Sequence, residues 1–136
     1  TKKAMKLCFE AHKEQLDKSG LPYVFHPFHL AEQMTTEETT VVALLHDVVE
    51  DSDYTLEDLI NMGFEKPVID AIVLMTHADD VDYMEYVVAI KTNAIAKTVK
   101  LADLRHNSDL SRLDTVTEKA LKRREKYLKA IAFLEG

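Results

Sequence analysis

Breakers of regular structure are scarce in this chain, with three Gly and three Pro in 136 residues, while apolar residues recur at three- and four-residue spacing along almost all of it. No alternating run is long enough to make a sheet, so the pattern predicts an all-α fold. The length suits a single domain, and residues 1–136 are expected to form one helical bundle. Hydrophobic residues at 46% and charged residues at 30% are a globular balance that can supply a core.

Charge narrows the choice of partners. With 24 Asp plus Glu against 17 Lys plus Arg, the net charge is −7, which opposes attraction to nucleic-acid backbones and to anionic lipid; neither is expected as a partner. The longest apolar runs, Val41 to Leu45 and Ala71 to Met75, fall far short of the roughly 20 residues of a membrane span. The one cysteine, Cys8, has no intrachain partner and is expected to pack as a small apolar residue beside Ala4 and Ala11. These features suit a cytoplasmic protein, and nothing in them specifies an oligomeric state.

Helix signals divide the chain. A first helix is expected from near Lys2 to Lys18, closed at Ser19-Gly20. Pro27 suits the first turn of a short helix and sets His26 at its start. Thr35 with Glu38 has capping-box spacing before a helix that carries Val41 to Val49 and includes His46 and Asp47. Thr55 with Asp58 caps a short helix ending at Gly63, and Pro67 opens another from about Val68 to Thr76. After the acidic pair Asp79-Asp80, helices are expected on either side of a break at Asn93, the second running through Asn107. Thr115 with Glu118 caps a last helix, on which Lys119, Lys122, Arg123 and Lys126 read as a solvated face.

The chemistry concentrates in His46-Asp47-Val48-Val49-Glu50-Asp51. On a continuous helix His46 lies above Glu50 and Asp47 above Asp51, so ligand-type and base-type side chains share one flank. Burying unpaired charge after the apolar run Val41 to Leu45 is expensive, and a metal cation removes that cost. His26 and Asp103 are a second His and Asp outside the hexapeptide. The four residues His26, His46, Asp47 and Asp103 could form a mixed N/O metal site with open positions. Asn107 follows Asp103 by one helical turn. His12, His29, His77 and His106 show no paired spacing and are read as structural, Tyr83 and Tyr86 as core-facing, and Lys91 and Arg112 as exposed candidates only.

The chain resembles the HD-domain metal-dependent phosphohydrolases, and among them the hydrolase domain of the RelA/SpoT family and its stand-alone small alarmone hydrolases. Three ordered blocks carry the resemblance: Lys18-Ser19-Gly20-Leu21-Pro22-Tyr23 leading to His26-Pro27; Leu45 to Asp51 followed by Thr55-Leu56-Glu57-Asp58; and Val99-Lys100-Leu101-Ala102-Asp103 with His106-Asn107. The resemblance implies an all-helical HD fold and one Mn²⁺ held by His26, His46, Asp47 and Asp103. It also implies water attack assisted by Glu50 and Asp51, with Lys18 and Asn107 binding a nucleotide. The implied reaction removes the 3′-pyrophosphate of guanosine tetra- or pentaphosphate. Three positions depart from the family pattern: Asp17 where a guanine-packing Arg is usual, and Asp109 and Leu110 where Arg and Thr follow. The alternatives are an HD phosphohydrolase of another nucleotide or phosphate ester, and a metal- or nucleotide-binding sensor without turnover.

Overall fold

A helix that is apolar all round belongs in the middle of a fold, and Val41 to Leu45 are all buried. The computed structural model describes residues 1–136 as nine α-helices with no named strand. Residues Glu37–Leu45 form α3, which packs against α1 (Lys2–His12), α2 (Phe25–Glu32), α6 (Lys66–Met75) and α8 (Ala94–Asn107). Between them lie α4 (Val48–Asp51), α5 (Leu56–Asn61) and α7 (Tyr83–Lys91), and α9 (Glu118–Glu135) closes over α7 and α8. One core cluster of 26 buried residues joins these helices. Each fully buried Val or Leu stabilises such a core by about 1.5–3 kcal/mol relative to exposure.

Local signals set many helix ends as the sequence predicts. Thr55 and Asp58 form the reciprocal capping box at the start of α5. Asn93 caps α8 by accepting the Ala96 amide at 3.0 Å, which is the expected break. Pro67 occupies the first turn of α6, and Gly63 closes the turn after α5 with φ +87°, where a side chain is strained.

Four boundaries differ. The first helix stops at His12 instead of Lys18, because the chain beyond folds back on itself. Asp17 donates its amide to the Leu21 carbonyl, and an isolated bridge pairs Leu16 with Pro22. Thr36, not Thr35, caps α3, accepting the Thr39 amide at 3.2 Å. Thr117, not Thr115, caps α9 through the Ala120 amide at 3.1 Å. The fourth difference reaches the chemistry: the helix expected to run through the hexapeptide is interrupted at His46-Asp47, between α3 and α4. The His46 ring bonds the Ala43 carbonyl at 2.7 Å, one of the acceptors a continuing helix would use, and Asp47 becomes the cap of the four-residue α4.

Candidate metal centre and adjoining cavity

Three stretches of chain converge behind α3. Donor atoms of His26, His46, Asp47 and Asp103 lie within 4.8 Å of one another, and all but Asp47, which is partly covered, are buried. His26 comes from the first turn of α2, next to Pro27; His46 and Asp47 come from the interruption after α3; Asp103 comes from the buried face of α8. His46 and Asp47 keep right-handed helical backbone through the interruption (φ −58°, ψ −29° and φ −102°, ψ −2°), and both side chains reach the same point.

The hydrogen bonds around the group orient each donor. His26 Nε2 stands 2.8 Å from Asp103 Oδ1. Lys100 Nζ donates to Asp103 Oδ2 at 3.0 Å, and Asn107 Nδ2 donates to Asp103 Oδ1 at 3.1 Å. The Tyr23 hydroxyl donates to Asp47 Oδ2. His46 Nδ1 donates to the Ala43 carbonyl, so in the neutral ring the lone pair is on Nε2. That buried nitrogen has no hydrogen-bond partner, although Asp47 Oδ2 lies 3.0 Å and Asp103 Oδ1 3.5 Å away. Neither approach is aligned as a bond. An orphaned imidazole nitrogen among carboxylate oxygens fits a divalent cation, which accepts lone pairs from both kinds of donor.

Burial opposes a charge on Asp103, yet Lys100 first, and then the His26 and His46 rings, hold its carboxyl well below the usual carboxylate range. Asp47 is lowered as well, with burial against its charge and His46 in favour. Burial disfavours a charged His46, but Asp47 and Asp103 outweigh it and hold the ring well above its ordinary value.

Glu50 and Asp51 fall outside the four-donor group and stay exposed on α4. The Glu50 carboxylate accepts the His77 amide. The Gln15 amide donates to the Asp51 carbonyl at 2.6 Å, pinning the end of α4 to the segment after α1. Burial, followed by the Asp47 charge, raises the Asp51 carboxyl. Burial raises Glu50 too, the His77 amide pulls it back, and Asp47 raises it further.

Beside the donors opens a cavity of about 390 Å³ whose lining includes Lys18, Tyr23, Asn107, Arg112, Arg123 and Tyr127. Both Lys18 and Asn107, the two residues expected to bind substrate, are in its wall. Tyr23 and Asn107 touch both compartments, since each also bonds a donor carboxylate. Burial lowers the Lys18 ammonium, and the nearby Arg123, Lys119 and Lys126 charges lower it further, so cations cluster round Lys18 although the chain is acidic. Arg123 thus leaves the solvated face expected of it, and Lys126 lies 4.5 Å over the Tyr83 ring. Arg112 is likewise in the wall. The readable signals were Tyr23 just ahead of His26, and Arg123 with Tyr127 at i and i+4 on one face of α9. No local pattern announces Arg112.

Asp17, Asp109 and Leu110 also line the cavity. The Asp17 carboxylate is taken up by its own loop: Oδ1 accepts the amides of Ser19 at 2.8 Å and Leu21 at 3.0 Å, around Gly20 at φ +81°. Asp17→Ala should therefore destabilise the protein by about 1–3 kcal/mol, while Asp17→Asn, which keeps an acceptor at that point, should lose much less. Urea midpoints of the three proteins test this; an alanine variant as stable as wild type would show that the turn holds without the carboxylate.

A helical domain that gathers two histidines and two aspartates round one buried point, the second histidine directly followed by an aspartate, has the architecture of an HD domain. No family model matches the chain. It is 33% identical over 137 residues to a probable GTP pyrophosphokinase of Mycobacterium leprae, covering 90% of this chain and 17% of that protein. It is 31% identical over 113 residues to the bifunctional (p)ppGpp synthase/hydrolase SpoT of Escherichia coli K12, covering 72% of this chain and 16% of that protein. The chain thus spans about a sixth of these curated relatives. A solved structure described as a metazoan ortholog of SpoT that hydrolyzes ppGpp superposes with a TM-score of 0.79 at 24% identity, over 98% of this chain and 83% of that one; it has the same fold. The chain belongs to the RelA/SpoT-type HD-domain family. No helix is long and apolar enough to cross a membrane.

Proposed function

We propose that this domain is a metal-dependent hydrolase of the cytoplasm that removes the 3′-pyrophosphate of guanosine tetra- or pentaphosphate. The observation that carries the reading is the placement of the four-donor group next to a cavity that carries Lys18, Arg112 and Arg123, with Tyr23 and Asn107 lining the cavity and bonding the donors Asp47 and Asp103. His26, His46, Asp47 and Asp103 would hold the ion, with Mn²⁺ the metal implied by the family. A divalent cation there supplies positive charge against phosphoryl oxygens and makes a neighbouring water more acidic.

The chain's own residues do the rest. Lys18, Arg112 and Arg123 offset phosphate charge in the cavity, which compensates for the net charge of −7. Glu50 and Asp51 orient the attacking water and accept its proton. The water oxygen bonds to the phosphorus carried on the 3′ oxygen, that P–O bond breaks, and the 3′ oxygen leaves with a proton, giving pyrophosphate and GDP or GTP. Asn107 and Lys100 hold the Asp103 carboxylate in register throughout.

One observation favours a second reading. Asp17 and Asp109 bring two carboxylates into the cavity wall, and Asp109 is engaged with Ser111 at 2.6 Å, so the shell suits a nucleotide or phosphate ester less anionic than the alarmone. Mn²⁺-loaded protein incubated with a nucleotide panel separates the two. Equimolar GDP and pyrophosphate from guanosine tetraphosphate is the expected result. Turnover only of another phosphate ester would favour the second reading, and no turnover of any would leave a binding module.

A further inference from the structure

Each metal-ligand histidine needs an outward partner for the ring N–H that does not face the ion, because that bond fixes the tautomer and the ring's direction. His46 finds a main-chain acceptor, the Ala43 carbonyl. His26 does not. Its Nε2 faces the donors, 2.8 Å from Asp103 Oδ1, and its Nδ1 lies 2.6 Å from Nδ1 of His106, three residues past Asp103 on α8. Two ring nitrogens at that distance share one proton, so one donates and the other accepts. The rings are nearly parallel, with centroids 4.9 Å apart and planes 6° apart. His106 is itself held in place: its carbonyl accepts Arg112 Nη1 at 2.8 Å, and the His29 ring packs on it at 4.5 Å.

We propose that His106 is a positioning residue whose Nδ1 accepts the Nδ1–H of His26, fixing the tautomer that leaves His26 Nε2 free for a divalent cation. The inference rests on the metal-centre reading and extends it to a histidine that the sequence pattern reads as structural. Because Arg112 lines the cavity and holds the His106 backbone, the same residue couples the cation's surroundings to the nucleotide wall.

The test uses Mn²⁺ alone, titrated against a competing chelator, on wild type, His106→Phe, His106→Asn and His46→Ala. His106→Phe keeps a ring but loses the acceptor, and should weaken Mn²⁺ binding about 10- to 100-fold, the usual effect of losing an outer partner of a ligand. His106→Asn places an amide oxygen near the lost nitrogen and should recover most of the affinity. Nitrogen-15 spectra of the wild-type imidazoles with Zn²⁺ bound should show His26 protonated at Nδ1 and His106 bare at Nδ1. Unchanged Mn²⁺ affinity in His106→Phe, an asparagine variant as weak as phenylalanine, or a bare His26 Nδ1 would each overturn the proposal. Should His106→Phe not fold, the wild-type spectra decide alone. His46→Ala keeps the two failures apart: if it binds Mn²⁺ as wild type does, the metal centre itself is misassigned, whereas loss there with no effect at His106 defeats only the positioning role.

Discussion

Asp103→Asn should strip the metal and lower turnover by at least about 10²-fold, since removing a ligand exceeds the 10- to 100-fold cost of disturbing its outer partners. Asp103 is 5% exposed and is the hub of the centre: His26 and Asn107 meet Oδ1, and Lys100 meets Oδ2. Neutralising it also orphans Lys100, whose side chain is only 12% exposed; burial opposes that ammonium, and Asp103 foremost keeps its pKa raised. Breaking such a buried pair costs about 3–5 kcal/mol. Stability measured in excess chelator should show this loss apart from the metal's contribution. Adding Lys100→Met to Asp103→Asn should return part of it, because no unpaired charge is then left inside. Elemental analysis after gel filtration provides the other half, and full occupancy in Asp103→Asn would remove the residue from the ligand set.

The second large effect separates catalysis from metal holding. Glu50 lies outside the four-donor group, so Glu50→Gln should keep its metal while losing about 10²- to 10⁴-fold in rate, the usual worth of a general base. Burial and the neighbouring Asp47 charge raise the Glu50 carboxyl, against the pull of the His77 amide. A base works deprotonated, so the rate should fall as pH drops through that raised value, above the ordinary Glu value of about 4.3. A cation among the donors offsets the Asp47 charge and leaves burial as the main cause. The acid limb should change in Glu50→Gln. Glu50→Gln and Asp51→Asn both turning over at wild-type rate would mean that neither carboxylate handles the water's proton.

How much of this was legible depended on whether the cause was local. Thr55 with Asp58, Asn93, and Pro67 act within one turn of chain, and each appears where the sequence reading put it. The apolar run Val41 to Leu45 announced its own burial. The missed features depend on distant partners. The first helix ends at His12 because the loop around Asp17 closes on itself and docks through Gln15 to Asp51. The helix is interrupted at His46-Asp47, yet the two residues still converge with His26 and Asp103. Spacing could not tell Arg112 and Arg123 from surface cations, since they line the cavity only where the segment after α8 and the helix α9 meet the loop that holds Lys18.

The wall contributed by α9 has a consequence for the order in which the chain becomes competent as it leaves the ribosome. All four candidate donors have been synthesised once Asp103 emerges, while Arg123 and Tyr127 of the cavity wall follow some twenty residues later. The donor set is therefore complete in sequence before the cavity wall is, although α9 also supplies Ala130 and Leu134 to the common core. The last helix supplies wall and core to the domain and none of the four donors.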